Sequence, residues 1–130
     1  MTSMTPGLCD TSAFIGQEGR GLELAALDMD LAVSVVVLGE LRRGVLSAST
    51  VEARSSRLAT YEIAASLSPL PVDRAVADAW ATLVTRLRES GTKMEVNDSW
   101  IAATALAHGM SVVTQDDDFD VVPGLEIVKI

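Results

Sequence analysis

Apolar and polar positions along this 130-residue chain switch between a strand-like run and a helical spacing of three to four residues. Leu8 and Cys9 form a short apolar entry to Asp10, and the small and polar Thr11, Ser12 and Ala13 follow, which predicts a strand ending at a strand-to-helix turn. The run Leu31 to Val37 predicts a second strand, leading into a helix on which Val37, Leu38, Leu41 and Val45 recur. Val51, Leu58, Tyr61 and Ala65 predict an amphipathic helix across residues 50–66, with Arg54 and Arg57 between them. The two prolines of SPLPVD keep that segment extended, and Asp73 reads as the N-cap of a helix through Val76, Trp80, Leu83, Val84 and Leu87, ending near Gly91. Trp80 falls on the apolar stripe of that helix, a core position. After a linker with Lys93 and Glu95, Asn97 or Asp98 opens a further helix that carries His108 in its last turn and stops at Gly109. MSVVT is then a strand, QDDDFD an acidic loop, and LEIVKI a final edge strand after Pro123 and Gly124.

Strands alternating with helices in this way imply βαβ crossovers and a parallel sheet covered on both faces, so the expected class is a three-layer α/β/α fold in one domain spanning residues 1–130. In such sheets functional groups gather beyond the carboxyl ends of the strands. Composition sets further bounds. Hydrophobic residues make up 48% of the chain and aromatics 4%, and no uncharged apolar run approaches the roughly 18–20 residues of a membrane span. The N-terminal MTSMTPGLCD lacks the basic start and apolar stretch of a secretory signal, and one cysteine cannot form an intramolecular disulfide. The expected location is the cytoplasm. The formal net charge of −8 argues against holding nucleic acid by bulk electrostatics. Residues 41–93 nevertheless carry eight of the ten basic groups against five acids, leaving the rest of the chain strongly acidic. Such a division permits a metal ion and an anionic polymer to bind together.

The strand-end rule selects carboxylates. Asp10 ends the first strand, Asp116 follows the strand MSVVT, Asp98 opens the helix that feeds that strand, and Glu40 sits one turn into the helix after the second strand. All four are expected to converge on one rim. Like charges at such a point call for a compensating cation, and oxygen-only ligands select a hard ion, Mg²⁺ or Mn²⁺, over zinc. Each acid also has a plain structural role open to it: Asp10 and Asp98 as helix caps, Glu40 as an ion-pair partner of Arg43, and Asp116, Asp117 and Asp118 as a solvated loop. Periodicity does not say which of those three points inward. His108 suits a helix C-terminus, Cys9 suits a buried strand, and Trp100, off the face of Ile101 and Ala105, suits the margin of a site or an interface.

The blocks LCDTSAFIG, VVLGELRRGV, NDSWIAATALAHG and VVTQDDDF, in this order over essentially the whole chain, resemble the PIN-domain ribonucleases, and among them the VapC-type toxins of bacterial toxin–antitoxin pairs. The resemblance implies Mg²⁺-dependent endonucleolytic cleavage of RNA, with Mn²⁺ able to substitute. It places the family's acids on Asp10, Glu40, Asp98 and Asp116, the last through Thr114, Gln115, Asp116 and Phe119. Asp10, Asp98 and Asp116 are then the metal ligands, and Glu40 positions or deprotonates the water. It also implies a supporting hydroxyl at Thr11 or Ser12, with Ser12 preferred, a cognate antitoxin that masks the acids, and a homodimer. Arg42, Arg43, Arg86 and Arg88 are candidate phosphate contacts. Transfer, ribosomal and messenger RNA all remain open as substrates.

Two other readings compete. A receiver-like phosphoacceptor domain has similar size and acid-lined strand ends, but Asp10 lacks an acidic neighbour and Lys93 and Lys129 are misplaced for it. A catalytically silent PIN fold that only binds a partner does not need four acids.

Overall fold

The computed structural model describes residues 4–21 and 23–130. Its elements are β1 (Thr5–Cys9), α1 (Thr11–Arg20), β2 (Met29–Val33), α2 (Val35–Ser47), α3 (Val51–Ala65), α4 (Arg74–Glu89), α5 (Val96–His108), β3 (Ser111–Thr114) and β4 (Ile127–Lys129), with short 3₁₀ turns at Leu24–Ala26 and Asp118–Val121. The four strands form one parallel sheet in the order β2-β1-β3-β4. The three-layer parallel α/β/α class expected from the sequence is the fold observed, and the last strand lies at an edge.

The centre of the sheet is apolar throughout. Leu8 and Cys9 of β1, Val33 of β2, and Val112 and Val113 of β3 are all fully buried, as a strand covered on both faces requires. Phe14 from α1, Val37 from α2, Ile101 from α5 and Phe119 from the last 3₁₀ turn close the core around them. Gly7 sits where the central strand has no room for a side chain: a Cβ there would lie 2.7 Å from Met29 Cε and 2.9 Å from Val113 Cγ2.

Two boundaries differ from expectation, and both bear on the site. The second strand ends at Val33, so Val35, Val36 and Val37 open α2 instead of closing β2. Ser34 decides the matter: its hydroxyl accepts the Val36 N–H at 2.9 Å and caps the helix, while Val35 N–H donates to Leu70 O and Leu70 N–H to Val33 O. The capping bond and burial of Val37 outweigh the small helical penalty of β-branched residues. Similarly, α5 starts at Val96, so Asp98 lies within its first turn and is not its N-cap. Asp73, by contrast, caps α4 as expected and accepts from Val76 N–H at 3.0 Å. At the far end of α5, Gly109 takes a φ of 64°, the left-handed conformation that glycine adopts without strain.

Candidate active site

Because β1 and β3 are adjacent and parallel, their carboxyl ends deliver Asp10 and the segment after Thr114 to the same rim. Asp10 is both a helix cap and a member of the site. Its Oδ1 accepts from Ala13 N–H at 3.0 Å and from the Ser12 hydroxyl at 2.7 Å, and its Oδ2 accepts from the Thr114 hydroxyl at 2.6 Å. These bonds hold a carboxylate that is almost completely buried. Burial raises its pKa, the three hydrogen bonds oppose that shift, and Asp116 reinforces it.

Helix α2 brings Glu40 to the same place. The Thr11 hydroxyl donates to Glu40 Oε1 at 2.6 Å, so α1 and α2 are tied together across the rim. Both hydroxyls considered in the sequence are therefore engaged, Ser12 with Asp10 and Thr11 with Glu40. Asp98 reaches the rim from the first turn of α5. Its carboxyl is pushed up to about 7, first by burial and then by Glu95, Asp118, Glu40 and Asp10 around it. It takes no hydrogen bond from any described side chain or backbone group.

One cavity of about 580 Å³ is lined by all four expected acids, Asp10, Glu40, Asp98 and Asp116, and also by Glu95 and Asp118. Of the acidic loop, Asp116 and Asp118 face this cavity. Asp117 instead pairs with Lys129, which also approaches Asp120 at 3.5 Å. Asp116 is fixed through its backbone, whose N–H donates to Thr114 Oγ1 at 2.9 Å.

Sequence reasoning missed Glu95 and Arg20 as lining groups and left open which of Asp116, Asp117 and Asp118 faces inward; Glu95 looked like part of a linker, and Arg20 lies ten residues from Asp10 with nothing local to mark it. None of Arg42, Arg43, Arg86 and Arg88 lines the cavity. Arg42 instead stands 5.7 Å from the centre of the Tyr61 ring.

The acids share the cavity without closing into a ligand set. Among the described residues, no three His, Cys, Asp or Glu side chains are drawn together as a metal site. The donor chemistry fits a hard divalent cation, because the side chains in the cavity able to hold one offer oxygen donors only.

Other residues play structural parts. The Cys9 thiol is pushed up to about 12 by burial and by Asp10, so it stays protonated and packs as an apolar group. His108 is exposed in the last turn of α5. Trp80 is half-buried and not a core residue as expected: it stacks on Trp100 with ring centres 4.3 Å apart and planes 4° from parallel, and its indole N–H donates to Ser99 Oγ at 2.9 Å. The bond to buried Ser99 satisfies the indole's polar edge, and the stack joins α4 to α5.

The chain matches the PIN domain family over residues 8–125. It is 48% identical over 124 residues to Ribonuclease VapC4 of Mycobacterium tuberculosis, covering 95% of both chains. This chain is a PIN domain of the VapC family. Ribonuclease VapC5 of the same organism is 46% identical to this PIN domain over 130 residues, covering 99% of this chain and 96% of the relative. A solved member of the VapBC family of toxin–antitoxin systems, VapBC-5 from Mycobacterium tuberculosis, superposes with a TM-score of 0.84 at 44% identity, covering 97% of this chain and 99% of that one. Membership of the PIN family sets aside the receiver-like alternative. Among the described residues, no helix of this PIN domain is long and apolar enough to cross a membrane.

Proposed function

We propose that this PIN domain is the toxin of a type II toxin–antitoxin pair and cleaves RNA as a divalent-metal-dependent endoribonuclease. The observation that supports the reading is the single cavity lined by Asp10, Glu40, Asp98 and Asp116, the four acids that the sequence resemblance singles out. The names of the VapC relatives support the substrate class, and the VapBC structure supports a protein partner.

In this reading Asp10, Asp98 and Asp116 hold Mg²⁺, or Mn²⁺ in its place. When bound, the ion lowers the pKa of water and offsets negative charge developing at phosphorus. The remaining work falls to the chain. Ser12 and Thr114 fix both oxygens of Asp10, so its carboxylate loses no freedom when a ligand arrives. Thr11 occupies Glu40 Oε1, which leaves Oε2 to orient the attacking water and take its proton. Water adds at phosphorus as the bridging P–O bond breaks, and the leaving oxygen takes a proton from solvent.

An antitoxin that masks the acids and a homodimeric assembly in the cytoplasm complete the proposal. The test is cleavage of total cellular RNA by the purified chain with Mg²⁺, Mn²⁺ or EDTA, beside Asp10→Asn and Asp98→Asn variants. Discrete fragments that need the metal and vanish in both variants are expected. Equal behaviour of wild type and variants would exclude the four-acid mechanism and leave partner binding as the function. Co-purification with the product of the adjacent small gene, and light scattering of the free chain, test the partner and the dimer.

A further inference from the structure

A cavity walled by six carboxylates repels the polyanion it is proposed to cut, so the approach of RNA requires a cation beyond any bound metal. Arg20, at the last turn of α1, is the one basic side chain lining that cavity among the described residues. Despite the acids around it, its guanidinium forms no ion pair with any described carboxylate; its side-chain bond goes to the neutral amide of Gln115, donated from Nη1 to Oε1. Gln115 is itself anchored at the catalytic rim. Its side-chain amide donates to Ser12 O at 2.5 Å, and its backbone N–H donates to Ser12 Oγ at 2.9 Å. Ser12 in turn donates to Asp10. The position of the guanidinium is therefore indexed to Asp10 through three successive hydrogen-bonded links, by way of Gln115 and Ser12. A cation placed only to complement the dipole of α1 would need no such tether.

We propose that Arg20 binds a phosphate of the RNA strand adjacent to the scissile one, with Gln115 as the residue that positions it. Guanidinium suits this task because its planar fork meets two phosphate oxygens at once and stays charged at every working pH. Its charge is available because a neutral amide, and not a carboxylate, restrains it. The inference rests on the ribonuclease reading above and adds the substrate contact which that reading lacks, since the arginines of residues 41–93 lie outside the cavity.

The test pairs cleavage with binding. Arg20→Ala, Arg20→Lys and Gln115→Ala are compared with wild type in Mg²⁺, using the RNA fragment that spans the cut mapped from total RNA. Binding of a dye-labelled single-stranded oligoribonucleotide is followed against salt in an Asp98→Asn background. Arg20→Ala is expected to raise KM about tenfold or more with a smaller change in kcat, to reduce the salt slope of log affinity by about 0.7, the share of one phosphate contact on a single strand, and to leave the melting temperature unchanged. Arg20→Lys should restore the salt slope but only part of KM, and Gln115→Ala should raise KM with the slope retained. An unchanged KM and salt slope in Arg20→Ala, or a fall in activity matched by a fall in melting temperature, would overturn the proposal. Absence of metal-dependent cleavage by wild type would instead remove the ribonuclease reading, and this contact with it.

Discussion

Thr114 and Asp10, 104 residues apart in sequence, meet at the tips of β3 and β1, where the threonine hydroxyl donates to Asp10 Oδ2 at 2.6 Å. The same hydroxyl accepts the N–H of Asp116 at 2.9 Å. One side chain thus orients a buried carboxylate and fixes the loop that carries another acid.

Thr114→Val keeps the shape of the side chain and removes both bonds, together with the 3.1 Å contact to Ser12 Oγ. A buried acceptor and a backbone donor then lose their partner, and chemical denaturation should show a loss of about 1–3 kcal/mol. If Asp10 holds the metal as proposed, RNA cleavage should fall about 10–100-fold, the usual cost of removing a group that orients a ligand. Full activity with a normal denaturation midpoint would contradict the role assigned to Thr114.

The pKa of Asp98 sets a pH dependence for the metal-free protein. Folding raises this acid from 3.8 to about 7, so between those values the folded chain binds more protons than the unfolded one. Stability in EDTA should therefore be greatest at the acidic end of this interval, as far as this group is concerned, and decline as pH rises towards 7. Because Asp98 is only half-buried, solvent screening reduces the effect to about 1–2 kcal/mol. Asp98→Asn should flatten the decline and raise the melting temperature at pH 7 while abolishing cleavage. Addition of Mg²⁺ should stabilise wild type more than this variant.

Asp117 separates the acids of the loop by role. It is exposed and paired with Lys129, so Asp117→Asn should leave RNA cleavage at the wild-type rate and change stability by no more than about 0.5 kcal/mol. Asp116→Asn should lower cleavage at least tenfold in the same assay. Equal effects of the two variants would show that the loop turns differently around Phe119.

The stacked Trp80 and Trp100 rings should couple energetically. A double-mutant cycle with alanine at both positions is expected to give an interaction of about 0.5–1.5 kcal/mol, the range for well-placed aromatic pairs. Additivity within about 0.3 kcal/mol would mean that the stack contributes only its buried area.

Much of this architecture was already legible along the chain. The apolar run before Asp10, the Asp73 cap and the Gly109 stop each act over a few residues, so their signals survive in the sequence. The boundary at Val35–Val37 did not, because three β-branched residues suit a strand as well as a buried helical turn. Only the cap at Ser34 and its bonding beside Leu70 resolve it. Among the candidate site residues, Asp10, Glu40 and Asp98 were nominated by their places at a strand end and in the first turns of helices, and the PIN resemblance singled out Asp116 within its loop; all four line one cavity. Arg20 and Glu95 were not nominated, since nothing near them in sequence marks the cavity they line, and which acids of the loop turn inward was left open until the structure placed Asp116 and Asp118 there.

The sequence by itself determined the parallel α/β order and the blocks that carry the PIN resemblance, because hydrophobic period, caps and turn residues are local properties. Tertiary structure alone decided which charges share a cavity. The pairing of β1 with β3 brings Thr114 to Asp10, the turn after β3 sends Asp117 to Lys129 and leaves Asp116 and Asp118 facing inward, and the tether through Gln115 keeps Arg20 among the acids. Electrostatic environment depends on distance in space, and a linear chain does not record that distance.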